Sequence, residues 1–169
     1  LLDLFKAQTF KEAENKLIKG ENFVILPLYG IKNGEKFVFE KSGLNQWNAG
    51  GRKRDAGEIY IPIPAEIHHL YPDFFPSKDQ IFKLEIPTGE LFDAKVCQEN
   101  SKALMTNPNK ALSDWLLRKL LQLKEGELAT IERLLELGFD SVIIYKENDH
   151  KFKIDKAELE GFENFIKQE

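Results

Sequence analysis

Arg52, Lys53 and Arg54 set three cations side by side, directly after Gly50 and Gly51. Upstream, Leu44 to Asn48 interleave amides with one large aromatic: Asn45, Gln46, Trp47 and Asn48. Asn and Gln side chains pair with adenine edges, and Arg and Lys pair with guanine edges or phosphates. The two glycines relax the backbone between these groups, because glycine reaches dihedrals closed to other residues. Past Asp55 and Gly57 the chain turns apolar, and Ile59, Ile61 and Ile63 share one face of a strand. Ser42 to Pro64 therefore reads as a basic, amide-rich arm mounted on a strand edge. The glycine-rich phosphate cradle of a P-loop is absent from the sequence. The plain alternative is a solvated loop.

A second polar stretch runs from Gln98 to Asn109. It holds Gln98, Glu99, Asn100, Ser101, Lys102, Thr106, Asn107 and Asn109, with Ala103, Leu104 and Met105 between them. Charge separates both stretches from the rest of the chain. Lys41 to Arg54 carry four cations and no acid; Lys95 to Lys110 carry three lysines against Glu99. The whole chain has a net charge of -4, so any nucleic-acid site must be a local basic patch on an acidic body. Two such connections on one scaffold suggest a clamp. Phosphate contacts would orient it, and its Gln, Asn, Ser, Thr and Arg groups would read base edges.

The elements that must hold these arms are short. Leu2 to Lys19 show a helical stripe that Gly20 stops. Val24 to Tyr29 form a strand, and Asn33-Gly34 turns it back through Lys36 to Glu40. After the strand ending at Ile63, Pro64 opens a short helix through Leu70. Strands follow at Gln80 to Ile86 and Leu91 to Gln98, the latter alternating Phe92, Ala94 and Val96 against Asp93, Lys95 and Cys97. Asn107 or Asn109 caps a helix to about Leu123 with a stripe of Leu112, Trp115, Leu116, Leu120 and Leu123. Thr130 to Leu137 make another helix, stopped by Gly138. Asp140 to Lys146 pair with Lys151 to Asp155, and Ala157 to Lys167 form a terminal helix. Strands lying beside sequence neighbours predict an α+β fold, mainly antiparallel, barrel-like, with helices at its open ends.

The chain of 169 residues fits one domain, and 42% apolar residues with 13 Phe supply a core. One cysteine, Cys97, excludes an intrachain disulfide and suits a reducing cytoplasm. No apolar run approaches a membrane span, and no signal peptide is present. The absence of an initial Met suggests a fragment of a longer protein.

Several blocks together resemble a known family. Ser42-Gly43-Leu44-Asn45-Gln46-Trp47-Asn48 leads to Gly51-Arg52-Lys53-Arg54-Asp55, then Tyr60-Ile61-Pro62-Ile63-Pro64 and Phe74-Phe75-Pro76. The second set runs from Ala94 through Met105, then Asn107-Pro108-Asn109 and Asp114-Trp115-Leu116-Leu117. These resemble the DNA-binding pseudobarrel of plant transcription factors, the B-three type, and more closely the specificity domain of NgoFVII-like restriction endonucleases.

The resemblance covers about Leu26 to Tyr145. It implies a seven-stranded open pseudobarrel spanning residues 23–169 after an N-terminal helix or linker at 1–22. Its two arms would grip the major groove of double-stranded DNA. The DNA-binding residues it implies are Gln46, Trp47, Asn48, Arg52, Lys53, Arg54 and Asp55 in the first arm. In the second they are Gln98, Glu99, Asn100, Ser101, Lys102, Met105, Thr106, Asn107, Asn109 and Lys110. Trp47 either packs the arm on the barrel or stacks at the DNA backbone. Glu99 either accepts from cytosine or orients an arginine. Such a domain is not itself an enzyme and needs no cofactor. Cleavage would belong to a phospholipase-D-like nuclease domain of the same parent protein, and an ATPase subunit is a further partner the resemblance allows. The paired His-x-Lys motifs of that nuclease are missing here: His68-His69 is followed by Leu70, and His150 by Lys151 and Phe152.

Rival readings use the same residues. Asp73, Asp93 and Lys95 have the form Pro-Asp…Asp-x-Lys of metal nucleases, in which two acids hold a metal and the lysine polarises water. Pro72-Asp73 reads equally as a turn, and Asp93 and Lys95 as solvent-face positions of a strand. His68 and His69 are adjacent, a poor geometry for joint chelation on a helix, and read as surface residues. Cys97 reads as a small strand residue and Trp115 as core. A protein-interaction module would explain the charge but not the dense amides. An RNA-binding barrel would need aromatics exposed on a sheet face, whereas the Phe residues alternate as core.

Overall fold

A computed structural model describes residues 17–45, 59–108, 110–124 and 126–167. The expected N-terminal helix up to residue 16, the first arm over residues 46–58, and Asn109 lie outside the described residues.

Among the described residues nine strands form: β1 Phe23–Pro27, β2 Gly30–Lys32, β3 Glu35–Phe37, β4 Ile61–Pro62, β5 Phe82–Glu85, β6 Leu91–Cys97, β7 Ala103–Asn107, β8 Phe139–Asn148 and β9 Lys151–Glu158. The helices are α1 Ala65–Leu70, α2 Lys110–Ser113 with a π-helical continuation Asp114–Leu120, α3 Ile131–Leu137 and α4 Gly161–Ile166. Seven strands make one sheet in the order β1-β8-β9-β5-β6-β7-β4. The sheet curls until its edge strands β1 and β4 come together, giving the nearly closed, barrel-like fold expected. β2 and β3 form a separate hairpin. Asn33 and Gly34 supply the two left-handed residues its tight turn requires, with φ of 53° and 79°.

Sequence neighbours pair antiparallel at β5–β6, β6–β7 and β8–β9. The remaining ladders join distant segments. β1 pairs with β8, β4 with β7, and β5 with β9, the last in parallel. The sheet is thus mixed, with one parallel ladder in an otherwise antiparallel set.

The core runs through the barrel. Phe74, Phe82 and Phe152 meet there, with the Phe82 and Phe152 ring centroids 4.7 Å apart. Phe37 and Phe39 depart from the core pattern expected of the phenylalanines. They are 43% and 37% exposed: Phe37 lies on the hairpin outside the seven-stranded sheet, and Phe39 follows it. The helix after β7 also departs from its expected stripe. Leu117 and Leu121 are buried, while Leu120 is only partly so. The Leu121 N–H reaches the Leu116 carbonyl, five residues back, at 3.0 Å. That wider winding turns Trp115, Leu116 and Leu117 inward together. α3 matches its sequence signals closely. Thr130 Oγ1 accepts from the Arg133 N–H at 3.1 Å, and Gly138 ends the helix at a φ of 84°.

One buried ionic cluster ties the hairpin to the body. Asp140 is fully buried, and Lys36 Nζ reaches its Oδ2 at 2.7 Å. Lys36 also bonds Glu163 of α4 at 2.9 Å, and the Tyr29 hydroxyl donates to the same carboxylate. Ser141 Oγ donates to Asp140 Oδ1 at 3.2 Å.

Candidate nucleic-acid interface

The first arm leaves the barrel after Asn45 and returns at Ile59. Both roots are fixed. Asn45 is buried and saturated: its Nδ2 donates to the carbonyls of Phe39 and Ala129, and its Oδ1 accepts from the Ala129 N–H at 2.7 Å. Asn45, the amide just before the expected DNA-binding residues of the first arm, is therefore an anchor. Opposite it, the Tyr60 N–H donates to the Gly43 carbonyl at 3.3 Å and closes the root. A β-carbon at Gly43 would stand 2.5 Å from the Tyr60 ring, so only glycine fits that approach.

The second arm is the connection from β6 to β7. Its tip is a 3₁₀ turn, Glu99–Ser101, closed by Ser101 N–H to the Gln98 carbonyl at 3.0 Å. Gln98, Asn100 and Ser101 all take left-handed backbone conformations, with φ of 70°, 59° and 54°. Glu99 and Asn100 face water; Ser101 and Lys102 are half-buried. The Gln98 side-chain amide is enclosed, and neither its oxygen nor its nitrogen has a hydrogen-bond partner among the described residues. Two contacts grip the tip from outside. The Ile63 N–H donates to the Lys102 carbonyl at 2.7 Å, and His68 Nε2 lies 2.7 Å from the Ser101 carbonyl oxygen.

Further along β7 the sequence-predicted residues divide. Met105 is half-buried opposite Lys95, and Asn107 is exposed opposite Asp93. Thr106 is 2% exposed, and its hydroxyl donates to the Pro108 carbonyl at 2.9 Å, so its side chain faces the fold. The peptide bond before Pro108 is cis. Lys110 is exposed at the start of α2. Lys95, counted among the arm's cations, lies 3.6 Å from Asp79, which offsets part of its charge.

The two arms share a base. Tyr60, at the return root of the first arm, packs in one buried cluster with Cys97 and Ala103, the residues that flank the second arm. Met105 packs against the same cluster. Cys97 is buried in this contact and forms no disulfide.

The nuclease residues do not converge. Asp73 lines a hollow of about 440 Å³ with His68, Lys146 and His150. Asp93 and Lys95 line another, of about 210 Å³, with Ile81, Met105 and Asn107. Asp93 pairs with Lys83, and the carbonyls of Asp73 and Phe74 accept from Lys146 Nζ at 3.0 and 2.9 Å. Pro72-Asp73 is thus part of a braced turn. Among the described residues no group of three or more His, Cys, Asp or Glu side chains could hold a metal ion. Nor is any helix among them long and apolar enough to cross a membrane.

Sequence reasoning missed His68, which it placed on a helix surface. Its half-buried ring sits edge-on to Phe75, with centroids 6.2 Å apart, while the neighbouring His69 is exposed. Nothing in the local pattern distinguishes the two, because the partner of His68 is a backbone carbonyl 33 residues away.

No curated protein matches the chain. The solved structure of a hypothetical Arabidopsis thaliana protein aligns with 84% of this chain and 95% of its own, at 13% identity and a TM-score of 0.38. A sequence model of the family described as the NgoFVII C-terminal B3-like DNA-binding domain matches residues 20–148. That span runs from before β1 to the end of β8 and takes in both arms, which is well over half of the chain, and the protein therefore belongs to the NgoFVII C-terminal B3-like DNA-binding domain family.

Proposed function

We propose that this domain recognises a specific sequence in double-stranded DNA, with its two arms entering the major groove from one shared base. It is the specificity domain of a restriction endonuclease whose nuclease domain is a separate part of the parent protein. The observation that carries the reading is the packing of Tyr60 against Cys97 and Ala103. It seats the return root of one arm on the two ends of the other. Arms with a common rigid seat can read one stretch of duplex in a fixed register.

The roles follow from side-chain chemistry in the first arm, and from exposure and chemistry in the second. Arg52, Lys53 and Arg54 supply phosphate and guanine contacts in the first arm, with Gln46, Asn48 and Asp55 beside them. In the second arm Glu99, Asn100 and Asn107 are the exposed readers. Lys102 and Lys110 hold phosphates, and Ser101 and Met105 border the contact. The unit that does this is residues 23–169, with 1–22 as its lead-in. Family membership supports DNA binding; the two-arm geometry supports sequence specificity.

The test is selection of bound duplexes from a randomised pool at about physiological salt, followed by titration of the selected duplex against a scrambled one. One short motif bound at least about 1000-fold tighter than scrambled DNA is expected of a specificity domain. Equal, weak binding to every duplex would reduce the arms to non-specific anchors. Arg52→Ala and Arg54→Ala that left affinity and specificity unchanged would remove the first arm from the interface.

A further inference from the structure

We propose that His68 is a positioning residue for the second arm, holding its tip in the shape that meets DNA. This rests on the reading that the arm recognises a duplex. The tip is expensive to hold. Gln98, Asn100 and Ser101 are all left-handed and none is glycine, a conformation that L side chains adopt at a cost. The side-chain amide of Gln98 is enclosed without a partner, a second cost. The closing bond from Ser101 N–H to the Gln98 carbonyl lies within the turn, so it leaves the tip's position relative to the barrel open.

That position is set from Ile63 to His68. Ile63 N–H holds the Lys102 carbonyl and His68 holds the Ser101 carbonyl, each at 2.7 Å. The two holds act on consecutive peptide units and fix the direction of the tip. Their mounting is firm. Between them Pro64 has a φ of -60° and precedes α1, and Ile67 of α1 is fully buried. The His68 ring rests on Phe75, itself stacked in the aromatic core. A carbonyl oxygen only accepts, so Nε2 of His68 carries the proton. His68 and Ser101 line the same open hollow of about 440 Å³. Water can therefore satisfy the Ser101 carbonyl when the imidazole is gone. Losing the bond then frees the tip's direction more than it weakens the fold.

The experiment compares the wild-type chain with His68→Phe, which keeps a ring against Phe75 and removes the donor. His68→Gln keeps an N–H donor without the ring, and His69→Phe is the control at the exposed neighbour. Each is titrated with the selected duplex and with its scrambled counterpart, and its thermal midpoint is recorded. His68→Phe is expected to lose about tenfold in preference for the selected duplex, the worth of one well-placed hydrogen bond, with scrambled binding unchanged. His68→Gln is expected to recover most of that preference, and His69→Phe to match wild type.

An unchanged preference in His68→Phe overturns the proposal, as does an equal loss for both duplexes or a His68→Gln that fares no better. The nitrogen-15 spectrum of the imidazole in the wild-type protein tests the contact without any variant. A proton on Nδ1 rather than Nε2 overturns it, even if His68→Phe fails to fold. A wild-type chain that prefers no duplex sinks the recognition reading together with this one; a selective wild type with an indifferent His68→Phe sinks this one alone.

Discussion

Tyr60 and Cys97 lie in one buried cluster although they belong to different arms. Tyr60 ends the return of the first arm, where its N–H meets the Gly43 carbonyl, and Cys97 is the last strand residue before the second. The outer face of β6 and β7 at this point is thus covered by the root of the other arm. A disturbance at either residue reaches both arms.

Tyr60→Ala is expected to destabilise the domain by about 3 kcal/mol, the usual cost of emptying a buried aromatic site. It should also lower binding of the selected duplex by more than any single arm substitution. Urea denaturation gives the first value and titration the second. Gly43→Ala should act on the same contact, since the new methyl must displace the Tyr60 ring.

Gln98 carries an amide that burial has stripped of partners. Replacing it with Met keeps the length and removes the unsatisfied polar atoms. The thermal midpoint should rise, by the equivalent of about 1 kcal/mol. If Gln98 turns outward to DNA in the complex, the same variant loses preference for the selected duplex while gaining stability. A fall in stability would show that the amide has a role in the free protein.

Asp140 is fully buried and depends on Lys36. Lys36→Met leaves that carboxylate facing no cation at hydrogen-bond range, at a cost of about 3 kcal/mol, the low end for a broken buried pair because Lys36 keeps a quarter of its side chain in water. Adding Asp140→Asn should return much of the loss. Chemical denaturation of the two singles and the double measures the coupling.

Glu147 and Lys153 shift in opposite directions through the same contact. The hydrogen bond from Lys153 holds the Glu147 carboxyl below its ordinary value, and Glu147 holds the Lys153 ammonium above its own. A depressed carboxyl stabilises the fold above its unfolded pKa, and this is lost as pH falls through the folded value. A raised ammonium stabilises below its unfolded pKa, and this is lost as pH rises through the folded value. The pair therefore contributes at neutral pH and fades toward both extremes. Both groups are solvent-accessible, so the effect stays below about 1 kcal/mol. Glu147→Gln should flatten the acid limb of a plot of stability against pH.

Lys102 and Asn100 sit two residues apart and should fail differently. Lys102→Ala is expected to weaken selected and scrambled duplexes alike and to reduce the salt slope by about 1. Asn100→Ala should leave the slope intact and relax one position of the site, at about 1–3 kcal/mol. Titrations at several salt concentrations separate the two.

Local signals told most of the fold. Asn33-Gly34 announced its hairpin, and Thr130 and Gly138 bracketed α3, because turn and cap chemistry acts over a few residues. Helix winding and non-local contacts carried the rest. Leu117 turns inward because the helix winds wider than its spacing implies. Lys95 reads as a basic arm residue until Asp79 stands beside it. Asn45 reads as one more amide of the first polar stretch until Ala129 claims both ends of its side chain. Asp73 and Asp93 form a motif in sequence and line separate hollows in space. Apart from Leu117, which the winding of its own helix turns, the deciding placement involves another element, which spacing cannot show.

The parallel ladder of β5 with β9 also bears on when the domain becomes whole. Glu85 meets Lys153, and Phe23 of β1 meets Tyr145, so strands made early wait for strands made late. On a ribosome releasing roughly 5–20 residues per second, β1 and β5 spend seconds with unpaired edges before β8 and β9 emerge. Pairings of such long span also slow the closing step itself. A chain cut after β7 would present β1 and β5 as bare edges and is expected to aggregate rather than hold half a barrel.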